Sequence, residues 1–278
     1  MIPPIARRFV AGETPATALE HVRECNDRDI RVILNLLGEH YDDPTEADDD
    51  AQAYATLLSD LADTGLKACI SVKPSQIGLD VSEARFRDNL RAIVDVADEN
   101  DQFVWLDMED HTTTDATLDA FEEFVTARDG GMGVCLQANL KRTRDDIERF
   151  AEVPGKIRLV KGAYDEPPAI AYKSKERVNE VYEEYLEYMF EQYDGGIAVG
   201  SHDPVMIDRA RELHDAHGTA FEIQMLMGVR EDAQEELARE YEVYQYAPYG
   251  GKWLSYFYRR IMERKENVGF AVRAVLGR

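Results

Sequence analysis

Basic side chains are scarce in this sequence. Its 32 lysines and arginines face 55 aspartates and glutamates, giving a formal net charge of −23 at pH 7 and a pI near 4.6. So acidic a surface repels nucleic-acid phosphates and anionic headgroups, which argues against either as a partner. Cysteine is scarcer still. Cys25, Cys69 and Cys135 are odd in number and too far apart for a CxxC site, so they read as reduced core thiols of a cytosolic protein. No apolar run approaches the roughly 20 residues that a membrane span needs. The arginines of the opening MIPPIARRFVAGE lack the apolar stretch that would follow them in a signal peptide. Neither GxGxxG nor GxxxxGK[ST] follows the first β-like run, which leaves Rossmann and P-loop chemistry without their motifs. HExxH is missing too, and His214 and His217 have no evident third ligand, so a catalytic metal is not expected.

What is present is a regular alternation. Eight short apolar runs, IRVILNL (30–36), LKACISV (66–72), QFVWLDM (102–108), GVCLQAN (133–139), KIRLVKG (156–162), GIAVGSH (196–202), AFEIQML (220–226) and EVYQYAP (242–248), read as strands. Between them lie segments with helical spacing at 47–64, 81–99, 114–128, 143–153, 173–193, 204–217 and 231–240. Strand and helix in strict turn imply a parallel sheet, and eight units without a phosphate loop imply a closed (β/α)8 TIM barrel. No linker or longer repeat interrupts the chain, so residues 1–278 read as one domain, with an extra helix at 14–26 packed against the barrel. The hydrophobic fraction of 44% is ample for a core, and the acid runs at 42–43, 48–50 and 235–236 fall on loops or helix faces, as in a protein adapted to high salt or one with an acidic partner-binding face, the first being the better reading.

In such a barrel the functional groups lie at the carboxyl ends of the strands. Those ends are rich in polar residues: Glu39, Lys73, Asp107, Glu109, Gln137, Asn139, Arg158, Lys161, Ser201, His202, Asp203, Glu222, Gln224 and Tyr246. Arg158 shares a strand face with Val160 and could be one half of an ion pair inside the barrel or a group of the site. His202 by itself could equally be a satisfied buried imidazole. After the eighth run comes YAPYGGKWLSYFYRRIMER (246–264), in which Tyr256, Arg259, Arg260 and Glu263 share one face of a helix. The two arginines could pair with Glu263 and Glu266, or fork onto a carboxylate or phosphate at the barrel mouth.

Through ARRFVAGET, LNLLGE, SVKPSQIG, LDMED, RLVKGAYDEP, FEIQMLMGV and YAPYGGKWLSYFYRRIMER, in that order and over nearly its whole length, the chain resembles the monofunctional proline dehydrogenases. The resemblance implies a distorted barrel that binds FAD, with its last helix over the mouth. It implies oxidation of L-proline to 1-pyrroline-5-carboxylate by hydride transfer to flavin N5. Electrons would pass to a membrane quinone, in the first step of proline catabolism, with a functional link to a 1-pyrroline-5-carboxylate dehydrogenase. By the same resemblance Asp107 and Arg158 are the catalytic positions, and Arg259, Arg260 and Lys73 hold the substrate carboxylate. Tyr246, Tyr256, Leu226 and Tyr164 would line the substrate pocket, Glu39 would pair with Arg259, and Glu263 would fix the arginines. Met108, Gln137, Arg158, Lys161, Gly162, Ala163, Ser201 and His202 would bind FAD. Where that family usually has Thr-His-Asn, this chain has Ser201-His202-Asp203, so the third side chain is acidic. The enzyme would be cytoplasmic, at most peripheral at the inner face of the membrane. Two other readings fit the bare residues: a lyase or aldolase barrel that handles phosphate or forms a Schiff base on Lys161 or Lys73, and a carboxylate-binding barrel without turnover.

Overall fold

Eight strands are hydrogen-bonded in sequence order and the eighth closes on the first in a computed structural model that describes residues 6–254. The strands are β1 (Arg31–Leu36), β2 (Ala68–Val72), β3 (Val104–Leu106), β4 (Met132–Gln137), β5 (Lys156–Val160), β6 (Ile197–Gly200), β7 (Phe221–Leu226) and β8 (Glu242–Tyr249). All neighbours are parallel, and the seam runs from Arg31 beside Tyr244 to Leu36 beside Tyr249. The helices are α1 (Pro15–Asn26), α2 (Pro44–Thr64), α3 (Glu83–Glu99), α4 (Thr114–Arg128), α5 (Thr143–Arg149), α6 (Lys175–Gln192), α7 (Pro204–His217) and α8 (Glu231–Leu237). Tyr256, Arg259, Arg260 and Glu263, with the helix expected to carry them over the mouth, lie outside the described residues.

Local chemistry sets the helix ends. Asp43 caps α2 through the Thr45 amide and Pro44 takes its first position, so this helix starts three residues before the apolar spacing begins. Asp203 and Pro204 do the same for α7. α5 is shorter than expected, ending at Arg149, because Pro154 and Gly155 follow closely and turn the chain into β5. The extra helix α1 begins at a Thr14 capping box and packs on the outer faces of β1 and β8, where His21 Nε2 lies 2.7 Å from Gln245 Oε1. It occupies the groove that a barrel ordinarily gives to the helix following its last strand. All three cysteines are free and buried.

The apolar residues divide by strand parity. Val32, Leu34, Ile70, Val72, Leu106, Val134, Leu159 and Val199 face outward into one large core with the helices. Ile33, Cys69, Trp105 and Ala198 face inward and form a small apolar plug with Phe103, Tyr244 and Tyr246. Trp105 is the plug's bulk, and only glycine fits beside it: a Cβ at Gly133 would lie 2.4 Å from the indole ring. Gly133→Ala should therefore cost about 1–3 kcal/mol by overpacking. Gly251→Ala, where a Cβ would meet nothing within 4 Å, should be close to neutral. Urea denaturation of the two variants checks this.

Candidate active site

Above the plug the barrel interior turns polar. A cavity of about 480 Å³ opens at the carboxyl ends of the strands and is lined by Asn35, Lys73, Asp107, Arg158, Gln224 and Tyr246, among others. Asp107, just past the end of β3, is the hub. Its Oδ1 accepts from Ser71 Oγ at 2.6 Å and from Arg158 Nη2, while its Oδ2 accepts from Tyr246 OH at 2.6 Å and lies 3.7 Å from Lys73 Nζ. Arg158 is buried, donates through Nη1 to Gln224 Oε1 at 3.1 Å, and rests over the Trp105 ring with 4.9 Å to its centroid. Lys73 in turn donates to Asn35 Oδ1 at 3.1 Å, and Asn35 is fixed by donating to the Ser71 carbonyl at 2.9 Å.

Burial pushes the Asp107 carboxyl up, but Arg158 and Lys73, with hydrogen bonds from Ser71 and Tyr246, outweigh it and hold the pKa below the usual carboxylate range. The Tyr246 phenol moves the other way: burial and the adjacent Asp107 charge push it well above its ordinary value, so it stays a donor. Burial works against the Arg158 charge, yet the Cys135 sulfur, Asp107 and Tyr246 together keep its pKa raised. One carboxylate thus stands between two cations on the cavity floor.

The loops that present these groups are tied by buried side chains. Glu109, which follows β3, accepts from the Ser75 amide at 2.8 Å and its hydroxyl at 2.7 Å, and so clamps the loop that carries Lys73. Burial raises the Glu109 pKa against the pull of those Ser75 hydrogen bonds. Gln76 donates to the Leu36 carbonyl at 3.0 Å and to Asp50 Oδ2 at 2.7 Å, joining the ends of β1 and β2. The wall after β5 is Lys161, Gly162 and Ala163. Gly162 has φ +105°, and a Cβ there would fall 2.1 Å from Asn139 Oδ1, a buried acceptor with no hydrogen bond among the described residues. Lys161 Nζ donates to Asn179 Oδ1 and Asp203 Oδ2, each at 2.6 Å. Ser201 and His202 continue the wall after β6, with His202 Nε2 accepting from the Leu226 amide at 3.1 Å.

Of the residues singled out from sequence, Glu39, Lys73, Asp107, Met108, Arg158, Lys161, Gly162, Ala163, Tyr164, Ser201, His202, Leu226 and Tyr246 all border this one cavity. Gln137 does not. It is buried at the end of β4, and its Nε2 donates to the Glu109 carbonyl at 2.9 Å, so it braces the Glu109 turn. Asn35 and Ser71 were not singled out, and Gln224 only as a polar strand-end residue without a role, although the three brace Lys73, Asp107 and Arg158. Strand parity was the signal for them, since each is a polar residue facing inward at or near the carboxyl end of a strand. Arg158 is both of the things its position allowed: half of a barrel ion pair and a wall of the cavity.

The family model for proline dehydrogenase matches residues 18–273. The chain belongs to the proline dehydrogenase family. Proline dehydrogenase 1 of Bacillus subtilis (strain 168) is 35% identical over 277 residues, covering 98% of this chain and 90% of that relative. The proline dehydrogenase of Deinococcus radiodurans is 37% identical over 282 residues with the same coverage. Among solved structures, proline utilization A (PutA) from Bdellovibrio bacteriovorus superposes with a TM-score of 0.86 at 25% identity, over 94% of this chain. This chain spans only 32% of that protein's length. A second PutA, from Corynebacterium freiburgense, has the same fold, with a TM-score of 0.82 at 21% identity over 97% of this chain and 32% of its own.

The ion pair at the centre makes a pH-dependent prediction. Because the folded pKa of Asp107 is depressed, its contribution to stability is present above the ordinary carboxylate pKa of about 3.9 and is lost as pH falls through the lower folded value. In Arg158→Met the carboxylate stays buried and loses its main partner, so at pH 7 the fold should lose about 3–5 kcal/mol. The folded pKa of Asp107 then rises, so the penalty should shrink as pH is lowered toward 5. Urea titrations of both proteins at pH 7 and pH 5 measure this, and an equal penalty at the two values would contradict it.

Proposed function

We propose that this chain oxidises L-proline to 1-pyrroline-5-carboxylate, the first step of proline catabolism, with FAD held in the mouth cavity of a single domain. The cavity floor carries the reading: two cations, Arg158 and Lys73, surround one carboxylate, Asp107, which leaves a unit of positive charge to receive a substrate carboxylate. The residues of the wall suit the cofactor. Gly162 brings bare backbone to the cavity, the orphaned Asn139 Oδ1 sits behind it, and Lys161 and Ser201 supply donors to an anionic group. Met108, Ala163 and His202 complete that wall, and Gln137 acts one step removed through Glu109. When bound, FAD supplies the hydride acceptor at N5.

The chain's own groups orient the substrate and set its charge state. Lys73, with Arg259 and Arg260, takes the carboxylate of proline; Glu39 pairs with Arg259 and Glu263 fixes the arginine pair. Tyr246, Tyr256, Leu226 and Tyr164 confine the ring. The excess positive charge of the floor disfavours the protonated amine, so the substrate gives up its amine proton to solvent water before or as its hydride leaves. Arg158, held by Asp107 and Gln224, would supply a fixed positive charge to balance the negative charge that a bound flavin takes up. Neither lysine is set up as a Schiff-base nucleophile: Lys161 is 2.6 Å from Asp203 and Lys73 is 3.7 Å from Asp107, not isolated among apolar groups.

Electrons then pass to a membrane quinone through peripheral contact from the cytoplasm, and the product goes to a 1-pyrroline-5-carboxylate dehydrogenase. No helix of the described residues is long and apolar enough to cross a membrane. The acid excess suits a salt-rich, halophilic source.

Purified protein should be yellow, should bleach on addition of L-proline, and should reduce a dye acceptor. A colourless preparation that takes up no added FAD would overturn the reading, and so would proline binding without turnover. Arg259→Met or Arg260→Met should raise the KM for proline at least tenfold, for a loss of roughly 1.5–3 kcal/mol, with flavin content unchanged. Loss of flavin instead would remove both arginines from the substrate clamp.

A further inference from the structure

Among the described residues the mouth cavity is lined by three cations, Lys73, Arg158 and Lys161, of which the third stands apart from the floor network. Its ammonium is already engaged, donating at 2.6 Å to Asn179 Oδ1 and at 2.6 Å to Asp203 Oδ2. Both members of the Lys161–Asp203 pair are about one quarter exposed, so water and salt reach them. Asp203 is also fixed from its other side. Its Oδ1 accepts from the Val205 amide at 3.1 Å as the cap of α7, and its own amide donates to Ser201 Oγ at 3.1 Å. The carboxylate therefore cannot swing away from Lys161 without uncapping the helix.

This arrangement has an electrostatic consequence for any anion that recruits Lys161. The lysine and Asp203 together are neutral, so the pair offers little net attraction, and an incoming phosphate oxygen must approach a fixed carboxylate of like charge. Burial pushes the Asp203 carboxyl up, but the hydrogen bond from Lys161 and the Val205 amide outweigh it and hold the group ionised, with Lys175 adding to the effect. Resting on the cofactor reading above, we propose that Asp203 is an affinity-setting residue, which weakens the hold of this wall on the pyrophosphate of FAD and removes most of the salt dependence of that hold.

A neutral residue at 203 leaves Lys161 uncompensated. Asp203→Asn is the informative variant, because asparagine is as good a helix cap and nearly the same shape. The full-length chain, stripped of flavin and checked for native secondary structure, is titrated with FAD while flavin fluorescence is followed, at about 0.1 M and about 2 M KCl. The variant should bind FAD about tenfold or more tightly than the parent at the lower salt, from removal of the one unit of negative charge that neutralises Lys161. That advantage should largely vanish at the higher salt, and riboflavin, which has no phosphate, should bind both proteins equally. Asp203→Ser, also a capping residue without charge, should behave like Asp203→Asn and takes its place if that variant does not fold. Equal or weaker FAD binding by the variants at low salt overturns the proposal, as does an equal gain for riboflavin. Failure of the parent chain to bind FAD under either condition overturns the cofactor reading itself, which is a separate and recognisable result.

Discussion

The ion pair between Asp107 and Arg158 is the interaction on which the rest of the site depends. A barrel of this size is ordinarily filled by layers of branched apolar side chains, and a charge placed there must be matched and fully hydrogen-bonded. Asp107 meets that condition through Ser71, Arg158 and Tyr246, and Arg158 through Asp107, Gln224 and the face of Trp105. Trp105 is in turn admitted only because the neighbouring strand has a glycine at 133. The floor of the cavity is therefore charged, and its charges are held by hydrogen bonds and close packing, as electrostatic preorganisation requires.

Around this centre, several of the residues that make the sequence motifs distinctive touch the strand-end loops rather than the cavity. Ser75 and Gln76 of SVKPSQIG bind Glu109 and the end of β1, so this loop is set by two buried clamps before Lys73 leaves it. Tyr54 of α2 reaches the same junction, accepting from the Leu36 amide at 3.0 Å and donating to the Ser71 carbonyl at 3.0 Å. Lys252, just after β8, donates to Tyr41 OH at 2.8 Å, and Tyr41 donates to Asp50 at 2.7 Å, linking the start of the last segment to the loop after β1 and to α2. These bonds explain why the motif blocks fall where they do: each fixes a loop that would otherwise sample many conformations.

Much of the architecture was legible from spacing alone. The eight β-branched runs and the helical segments between them correspond to the eight strands and to α2 through α8, with differences only at the ends, where caps and prolines outrank apolar period. Strand-end polarity pointed to the mouth through Glu39, Lys73, Asp107, Arg158, Lys161, Ser201, His202 and Tyr246, and the family resemblance added Met108, Gly162, Ala163, Tyr164 and Leu226, all of which border one cavity. Gln137 shows the limit of that reasoning. A polar residue at a strand end can brace a loop as readily as it can line a cavity, and only its tertiary partners separate the two.

The sequence by itself determined the parallel eight-fold alternation, the parity that turns Asp107, Arg158 and Tyr246 inward, and the excess of acid on the surface, because these follow from local period and composition. Tertiary structure alone decided the partners. Asp107 and Arg158 are 51 positions apart, Lys161 and Asp203 are 42 apart, and Tyr246 reaches Asp107 across 139, so none of these contacts exists until the barrel closes. Charge and hydrogen-bond energies depend on separations of a few ångströms and on burial. Those quantities are set by closure of the barrel, and spacing along the chain does not carry them.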